Sequence, residues 1–223
     1  MLSSEVLSPS IEEYLQAIRR LSQMPAGVST TRLARRLGIK PASVTGMLRR
    51  LSEMGLVTYR RYRDIALTPA GDRRANELLR RHRLTERLLT DLLGVPLEEA
   101  HDEACRLEHS VSPALESRIA LKLGPLDVCP HGNPLDVDAA DDTVTLVDAP
   151  LNLPLTVVRL EDESPEVVRY LSEHGVLPGT RVTIKAREPL GGGVVVEAAG
   201  RAHSIGEGPA ATIRVVRARR ARA

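Results

Sequence analysis

Two short helical segments joined at Gly38 constrain the fold of this chain more than any other feature of its sequence. Residues 31–37 and 41–54 each repeat apolar side chains at helical spacing. Pro41 suits the first turn of the second segment, and Gly55 suits the position just past its end. Two short helices with a glycine turn between them predict a helix-turn-helix, a motif whose second helix enters the major groove of DNA.

The residues on both sides of this motif extend it. Residues 10–23 have the apolar spacing of an amphipathic helix. After the motif, residues 56–60 and 65–68 predict two strands, which flank a basic tip at 61–64. A helix-turn-helix followed by a basic hairpin is the pattern of a winged helix.

The same region carries most of the positive charge of the chain. Between Arg19 and Arg63 there are eleven basic residues and one acidic residue, Glu53, whereas the whole chain has a net charge of only +2. Such a concentration is expected of a surface that binds phosphates; the alternative is a solvated basic face without a partner. We expect base contacts from the start of the second helix, at Lys40, Ala42, Ser43, Thr45 and Gly46. We expect phosphate contacts from the basic side chains Arg49, Arg50, Arg60 and Arg63.

Three further helices predict a dimerisation module. Pro69 suits the start of a long helix that runs to about residue 93, Pro96 precedes a second helix, and Ser112 and Pro113 start a third that ends near Gly124. These segments contain more leucine than a small winged domain can bury. A homodimer also suits DNA binding, because two recognition helices then reach half-sites one helical turn apart.

Beyond this module the pattern changes from helices to short strands. Residues 129–150 contain prolines and an acidic run, as a linker does. One helix starting at Pro165 and four strands follow, the strands at 155–160, 181–186, 194–198 and 212–216. This pattern predicts a small SH3-like β-barrel.

Composition indicates the compartment. No apolar run approaches the ~18 residues of a membrane span, and residues 1–9 lack the pattern of an export signal. The two cysteines, Cys105 and Cys129, have no CxxC spacing and fit a reducing compartment better than a disulfide framework. We therefore expect a cytoplasmic protein with no membrane partner.

Residues 101–109 concentrate groups that bind metals, since they include two imidazoles, one thiol and three carboxylates. On a helix, Cys105, Glu108 and His109 share one face because they are three and four residues apart. A thiolate, a carboxylate and an imidazole that converge can hold a divalent transition metal. The alternative is a polar helix face around one small, buried cysteine.

This stretch, with residues 81–94 before it, resembles the diphtheria-toxin-repressor family of metal-dependent bacterial regulators. The resemblance covers nearly the whole chain, including the Gly132-Asn133-Pro134 element. It implies a fold class that is mainly α with a small β-barrel. The implied domains are a winged helix-turn-helix DNA-binding domain (1–70), a helical metal-binding and dimerisation domain (71–128), a linker (129–150) and an SH3-like C-terminal domain (151–223).

The resemblance implies a primary, activating metal site at Cys105, Glu108 and His109, with Glu13 as a further ligand. At the Glu13 position the iron-responsive members have methionine and the manganese-responsive branch has an acidic residue. A carboxylate favours Mn²⁺ over Fe²⁺, whereas the thiol of Cys105 favours softer metals. The expected cofactor is therefore Mn²⁺ or Fe²⁺, and other divalent transition metals are expected to bind in vitro. The alternative role of Glu13 is a capping box with Ser10.

One departure from the manganese-responsive branch concerns the first helix. Gln16 stands where that branch has glutamate. An amide is a poorer metal ligand than a carboxylate, so this residue argues against the two-metal cluster of that branch.

The resemblance also implies an ancillary metal site at His82, Glu86 and His101, completed from the C-terminal domain by Glu163 and Glu166. His82 and Glu86 are four residues apart on the long helix and can share one ion. For the two C-terminal carboxylates the alternative is a favourable position at a helix start. Cys129 and His131, close together in the predicted linker, are assigned no role.

Together these features predict a metal-activated transcriptional repressor that binds operator DNA as a homodimer and controls manganese or iron uptake. A metalloenzyme would need an open coordination position and a substrate cleft, and it would have no use for the wing. A second alternative is a winged-helix regulator of a small organic ligand, in which the His/Cys/Glu cluster is structural.

Overall fold

The computed structural model describes residues 7–23, 27–60, 65–136 and 141–218. The chain divides into two compact units, Met1–Arg81 and His82–Ala223. The first unit contains α1 (Pro9–Ser22), α2 (Thr30–Arg36), α3 (Pro41–Glu53), β1 (Val57–Tyr59), β2 (Ile65–Leu67) and the first part of α4 (Pro69–Arg87).

The helix-turn-helix of the first unit is confirmed. The Ser29 side chain accepts a hydrogen bond from the Arg32 backbone N–H and so caps the start of α2. Gly38 makes the turn to α3 with φ +65°, a conformation that glycine adopts without strain. The inner faces of α1–α3 supply a core that includes the fully buried Leu15, Leu33 and Leu48.

The hairpin that follows is antiparallel, with Val57 opposite Leu67. Its predicted basic tip, residues 61–64 with Arg63, lies outside the described residues. The two strands confirm the hairpin of a winged helix.

The capping box predicted at the start of α1 is wrong. The helix begins at Pro9 with Ser8 as the N-cap, so Ser10 lies inside the first turn and cannot cap it. Glu13 is exposed on this helix. The neighbouring Glu12 is buried and forms an ion pair with Arg74, at 3.2 Å between Oε1 and Nη2.

Two of the predicted helices change from α-helical to another helical geometry near their C-terminal ends. The α-helical part of α4 stops at Arg87, and residues Leu88–Leu92 form a π-helical turn. The next helix, α5 (Leu97–Leu107), is followed by a 3₁₀ turn at Glu108–Ser110. Finally α6 (Pro113–Leu123) begins where predicted, since the Ser112 side chain accepts a hydrogen bond from the Leu115 backbone N–H.

The C-terminal region is a sheet packed against helices. Its elements are β3 (Val144–Thr145), β4 (Pro154–Leu160), α7 (Pro165–Glu173), β5 (Arg181–Glu188), β6 (Gly193–Ala198), β7 (Arg201–Ile205), α8 (Glu207–Thr212) and β8 (Ile213–Arg217). The strand order is β3-β8-β4-β5-β6-β7, and the described pairs are antiparallel. The SH3-like class stands, but the prediction of a barrel is wrong, because the sheet does not close.

The physical reason is visible at the two edges. The edge strand β3 has two residues and pairs with β8, while β7 pairs with β6, and no ladder joins β3 to β7 among the described strands. The core is instead completed by helices, through Val168 and Leu171 of α7 and Ala210 of α8. None of the described helices has the length and apolarity needed to cross a bilayer.

Candidate metal centre and nucleic-acid interface

Side chains from four parts of the second unit converge on one buried cluster. The end of α4 supplies His82 and Glu86, and α5 supplies His101. In α4 the two residues are four apart, so the helix projects them onto one face. His82 and Glu86 have no solvent exposure, which is unusual for such polar residues unless they are paired.

Short distances join these three side chains. His82 Nε2 lies 3.1 Å from Glu86 Oε1 and 3.1 Å from His101 Nδ1. His101 Nδ1 lies 3.3 Å from the same Glu86 oxygen. The predicted ancillary ligands of the helical region are therefore together.

The two carboxylates predicted from the C-terminal region are placed differently. Glu163, buried between β4 and α7, lies with Oε2 2.9 Å from His101 Nδ1. Its other oxygen accepts a hydrogen bond of 2.7 Å from the Asn133 amide, which orients the carboxylate. Glu166 is exposed in the first turn of α7. Among the described residues, it does not belong to any group of side chains close enough together to hold one ion.

Two further residues of the cluster carried no role in the sequence analysis. Cys129 and His131 are buried and form a group with Glu86 and Glu163 whose donor atoms all lie within 4.8 Å of one another. The Cys-Pro-His sequence could have indicated a metal site, but it lies in the segment predicted to be a linker and was therefore given no role. The turn is ordered instead, because the Cys129 backbone N–H donates to the Asn133 carbonyl and the Leu160 N–H donates to that of His131.

Hydrogen bonding prepares His131 to act as a ligand. Its Nε2 lies 3.2 Å from the Leu97 carbonyl oxygen, which can only accept a hydrogen bond. In the neutral imidazole this contact places the proton on Nε2 and leaves the Nδ1 lone pair facing Glu86 Oε1 at 3.3 Å. This is the arrangement in which metal-binding histidines are held.

The charges of the cluster shift one another's pKa values. Burial by itself lowers the pKa of His82, but the nearby charge of Glu86 and hydrogen bonds to its neighbours raise it well above its usual value. Burial by itself raises the pKa of Glu86, whereas the charge of His82 and hydrogen bonds from the histidines hold it well below the usual range. The cluster thus keeps Glu86 as a carboxylate although water is excluded.

Two buried atoms of the cluster indicate that a cation fits there. Glu86 Oε2 and His131 Nδ1 have no hydrogen-bond partner among the described residues. A buried acceptor without a partner costs about 1–3 kcal/mol. Imidazole, carboxylate and thiolate donors at this spacing are the ligand types of divalent transition metals.

The predicted primary ligands of the second unit lie at the end of α5. Because the α-helix stops at Leu107, Cys105 does not share one continuous α-helical face with Glu108 and His109. Glu108 is buried, with Oε2 2.6 Å from His82 Nδ1 and Oε1 3.5 Å from His109 Nε2. Glu108 therefore links its neighbour His109 to the buried cluster.

Cys105 points to the same cluster. Its Sγ lies 3.7 Å from His101 Nε2, on the ring edge opposite the one that faces Glu86. Burial raises the pKa of this thiol, but hydrogen bonds with His101 and His82 lower it to about 6. The fourth predicted primary ligand, Glu13, belongs to the first unit.

Most of the predicted DNA contacts of the first unit lie on one exposed part of α3, and Arg60 follows β1. Lys40 is the N-cap of this helix, and the predicted contact residues that follow it in α3 are exposed except for the half-buried Thr45. The exposed predicted residues are Lys40, Ala42, Ser43, Gly46, Arg49, Arg50 and Arg60. Val44 and Leu48 hold the opposite face of the helix in the core.

Three family profiles match successive parts of the chain. Residues 6–65 match "Iron dependent repressor, N-terminal DNA binding domain", and residues 68–135 match "Iron dependent repressor, metal binding and dimerisation domain". Residues 144–217 match the FeoA domain. The second match contains His82, Glu86 and His101 of the buried cluster together with Cys129 and His131.

Individual relatives agree with these profiles. The iron-dependent repressor IdeR of Mycobacterium leprae is 33% identical over 207 residues, which cover 85% of this chain and 89% of the relative. The diphtheria toxin repressor of Corynebacterium glutamicum is 34% identical over 192 residues, covering 80% and 84%. A solved manganese-dependent transcriptional repressor in complex with manganese superimposes with a TM-score of 0.86 at 32% identity, covering 93% of this chain and 100% of that one.

Proposed function

This chain belongs to the diphtheria-toxin-repressor family of iron- and manganese-dependent transcriptional repressors, and on that premise we propose that Mn²⁺ or Fe²⁺ activates it to bind operator DNA as a homodimer and repress metal uptake. The observation that supports this proposal most directly is the buried His82–Glu86–His101–Glu163 cluster in a chain that also has a winged helix. Because the matching family consists of metal-dependent repressors, neither a metalloenzyme nor a regulator that responds to an organic ligand is favoured as the function.

We propose the ancillary site at His82, Glu86, His101 and Glu163. A bound divalent cation supplies the positive charge that compensates two buried carboxylates. Glu86 and Glu163 are already oriented for this role, Glu86 by the histidines and Glu163 by Asn133. The exposed Glu166 fits the alternative of a carboxylate at a helix start better than it fits a ligand.

We propose the primary site at Cys105, Glu108 and His109, with Glu13 as the ligand from the DNA-binding domain. The proposal for Glu13 rests on the resemblance to the family. One structural observation supports it: the predicted capping box with Ser10 does not form, so this exposed carboxylate does not have the alternative role. Shared ligands from two domains favour the arrangement of recognition helices that fits the operator. Linkage then requires that operator DNA tighten metal binding by the same factor by which metal tightens DNA binding.

The direct test is operator affinity with and without metal. We expect Mn²⁺ or Fe²⁺ to tighten operator binding by at least about tenfold, within the usual range of coupling between two sites. Glu13→Ala and His109→Ala are expected to remove this difference and to leave the far-UV circular dichroism spectrum unchanged. Asp102→Asn, an exposed carboxylate on α5, is the matched control and should keep it. Equal affinity of the wild type with and without metal would contradict the proposal.

The DNA-binding surface predicts a separate result. Arg49→Ala and Arg50→Ala are each expected to weaken binding to all sequences and to reduce the slope of log affinity against log salt concentration by about 1, because each removes one phosphate contact. Fluorescence anisotropy at several salt concentrations measures both quantities. Arg201→Ala, an exposed arginine of β7, is the matched control. An unchanged slope for both α3 variants would place the phosphate contacts elsewhere.

A further inference from the structure

The first helix of the DNA-binding domain contacts α4 through charged side chains as well as through its apolar face. Glu12 is buried, and its Oε1 accepts a hydrogen bond of 3.2 Å from Arg74 Nη2. Glu13, the next residue of α1, is exposed and is the ligand proposed above for this domain. Two adjacent carboxylates of one helix therefore differ, since one is held by an arginine of α4 and the other is open to solvent.

A second contact between the same two helices lies two turns further along α1. Arg19 Nε donates a hydrogen bond of 2.9 Å to Asn76 Oδ1 and lies 3.5 Å from Asp72 Oδ1. Because Glu12 and Arg19 are seven residues apart, both contacts lie on one face of α1, about 10 Å apart along its axis. Two such contacts fix the direction in which α1 crosses α4 and also the rotation of α1 about its own axis.

The rotation of α1 matters for any metal ligand that projects from this helix. A side-chain carboxylate lies ~6 Å from the axis of its helix, so a rotation of the helix by about 20° moves it by ~2 Å. This displacement is as large as a whole bond between a divalent metal and a carboxylate oxygen, which is about 2.0–2.2 Å long. The helix must therefore be held in one rotation if Glu13 is to reach an ion at a fixed position.

Apolar packing by itself selects the rotation of α1 only loosely. The buried Leu15 and Ile18 stabilise the helix through the hydrophobic effect, which is not directional. A buried ion pair contributes little net stability, because the cost of removing two charges from water offsets their attraction. It is satisfied in only one geometry, however, and fixing a register is the best-attested role of such groups. The Glu12–Arg74 pair is therefore better suited to setting the rotation of α1 than to stabilising the fold.

We propose that Arg74 is a positioning residue for the primary metal site, because it holds Glu12 and thereby fixes the direction in which Glu13 leaves α1. This inference rests on the proposed function, since it takes Glu13 to be a ligand. Arg74 also forms a second ion pair, with Nη1 3.1 Å from Oε2 of the exposed Glu77. That pair joins two residues of α4 and cannot orient α1, so the chain itself contains a control for the role of Arg74.

The test replaces the ion pair by apolar side chains, as Glu12→Leu/Arg74→Met. Such a replacement is often neutral or stabilising, so the urea midpoint of the metal-free protein is expected not to fall. Mn²⁺ affinity is measured in a Glu86→Gln background, which lacks the carboxylate at the centre of the buried cluster, from the electron paramagnetic resonance signal of free Mn²⁺. We expect the dissociation constant to rise by about 10- to 100-fold, as it does when other groups that orient a ligand are lost. Glu12→Leu/Arg74→Leu, a second apolar pair, keeps the test informative if the first does not fold.

Three further variants in the same background separate the possible outcomes. Glu77→Gln removes only the local ion pair of Arg74, and Arg74→Lys keeps a cation beside Glu12, so both are expected to retain the Mn²⁺ affinity. An unchanged dissociation constant for the apolar pair, in an assay in which Glu13→Ala weakens binding, would overturn the positioning role and leave the proposed function in place. A fall of the urea midpoint together with the affinity would make the ion pair structural instead. If Glu13→Ala left the constant unchanged, Glu13 would not be a ligand and the proposed primary site would fail with this inference.

Discussion

In a Cys105→Ser/His109→Ala background, which lacks the proposed primary site, Glu86→Gln is expected to abolish the stabilisation of this protein by metal. A ligand that binds the folded state alone stabilises it by about 2.7 kcal/mol at a concentration one hundred times its dissociation constant. Glu86 lies in the middle of the buried cluster, and its Oε1 lies within 3.3 Å of three imidazoles. Glutamine is neutral and keeps the volume, so the variant removes the charge that holds a cation without leaving a cavity.

Urea denaturation with and without saturating Mn²⁺ measures this effect. The Cys105→Ser/His109→Ala protein is expected to gain at least about 2.7 kcal/mol in its free energy of unfolding, and the same protein with Glu86→Gln is expected to gain close to none. Glu99→Gln, at an exposed carboxylate near the start of α5, is the matched control in the same background and should gain as much as the protein without it. A full metal-dependent gain in Glu86→Gln would show that the buried cluster is not where metal binds.

The helices, and the candidate ligands that lie on them, were predictable from sequence because their placement depends on local periodicity. His82 and Glu86 are four residues apart within α4, as predicted. The proline and serine residues also predict the starts of α3 and α6 correctly. The end of α5 was not predictable in this way. The continuous pattern through His109 indicates one helix, but the backbone tightens into a 3₁₀ turn after Leu107, where Glu108 turns inward to His82.

The missed parts depend on contacts between distant residues. Cys129 and His131 lie in a proline-containing segment that has no periodicity, and tertiary hydrogen bonds to Asn133, Leu97 and Leu160 hold it. The strand β7, Arg201–Ile205, has few residues that favour strands and is defined by its pairing with β6. The short α8 covers the sheet core through Ala210, and no sequence signal distinguishes a covered open sheet from a closed barrel.

Gly132→Ala is expected to disrupt the segment that carries Cys129 and His131. Gly132 has φ +84°, and a Cβ atom there would lie 1.9 Å from the Val158 carbonyl oxygen and 2.8 Å from the Arg159 Cα. Both neighbours are backbone atoms of β4, so no side-chain rotation relieves the overlap. Left-handed backbone costs a non-glycine residue about 1–2 kcal/mol, and with the overlap we expect a loss of about 3 kcal/mol or more in the free energy of unfolding.

The same substitution at Gly179 separates strain from overlap. Gly179 has nearly the same backbone angle, φ +88°, but a Cβ atom there meets nothing within 4 Å. Gly179→Ala is therefore expected to lose only about 1–2 kcal/mol in urea denaturation and to keep the full Mn²⁺ content. Gly132→Ala is expected to displace its neighbours His131 and Asn133, which contact Glu86 and Glu163, and so to lower the Mn²⁺ content as well as the stability. If the two variants lost the same amount of stability and Mn²⁺, the contact between the Gly132 turn and β4 would not be what positions His131 and Asn133.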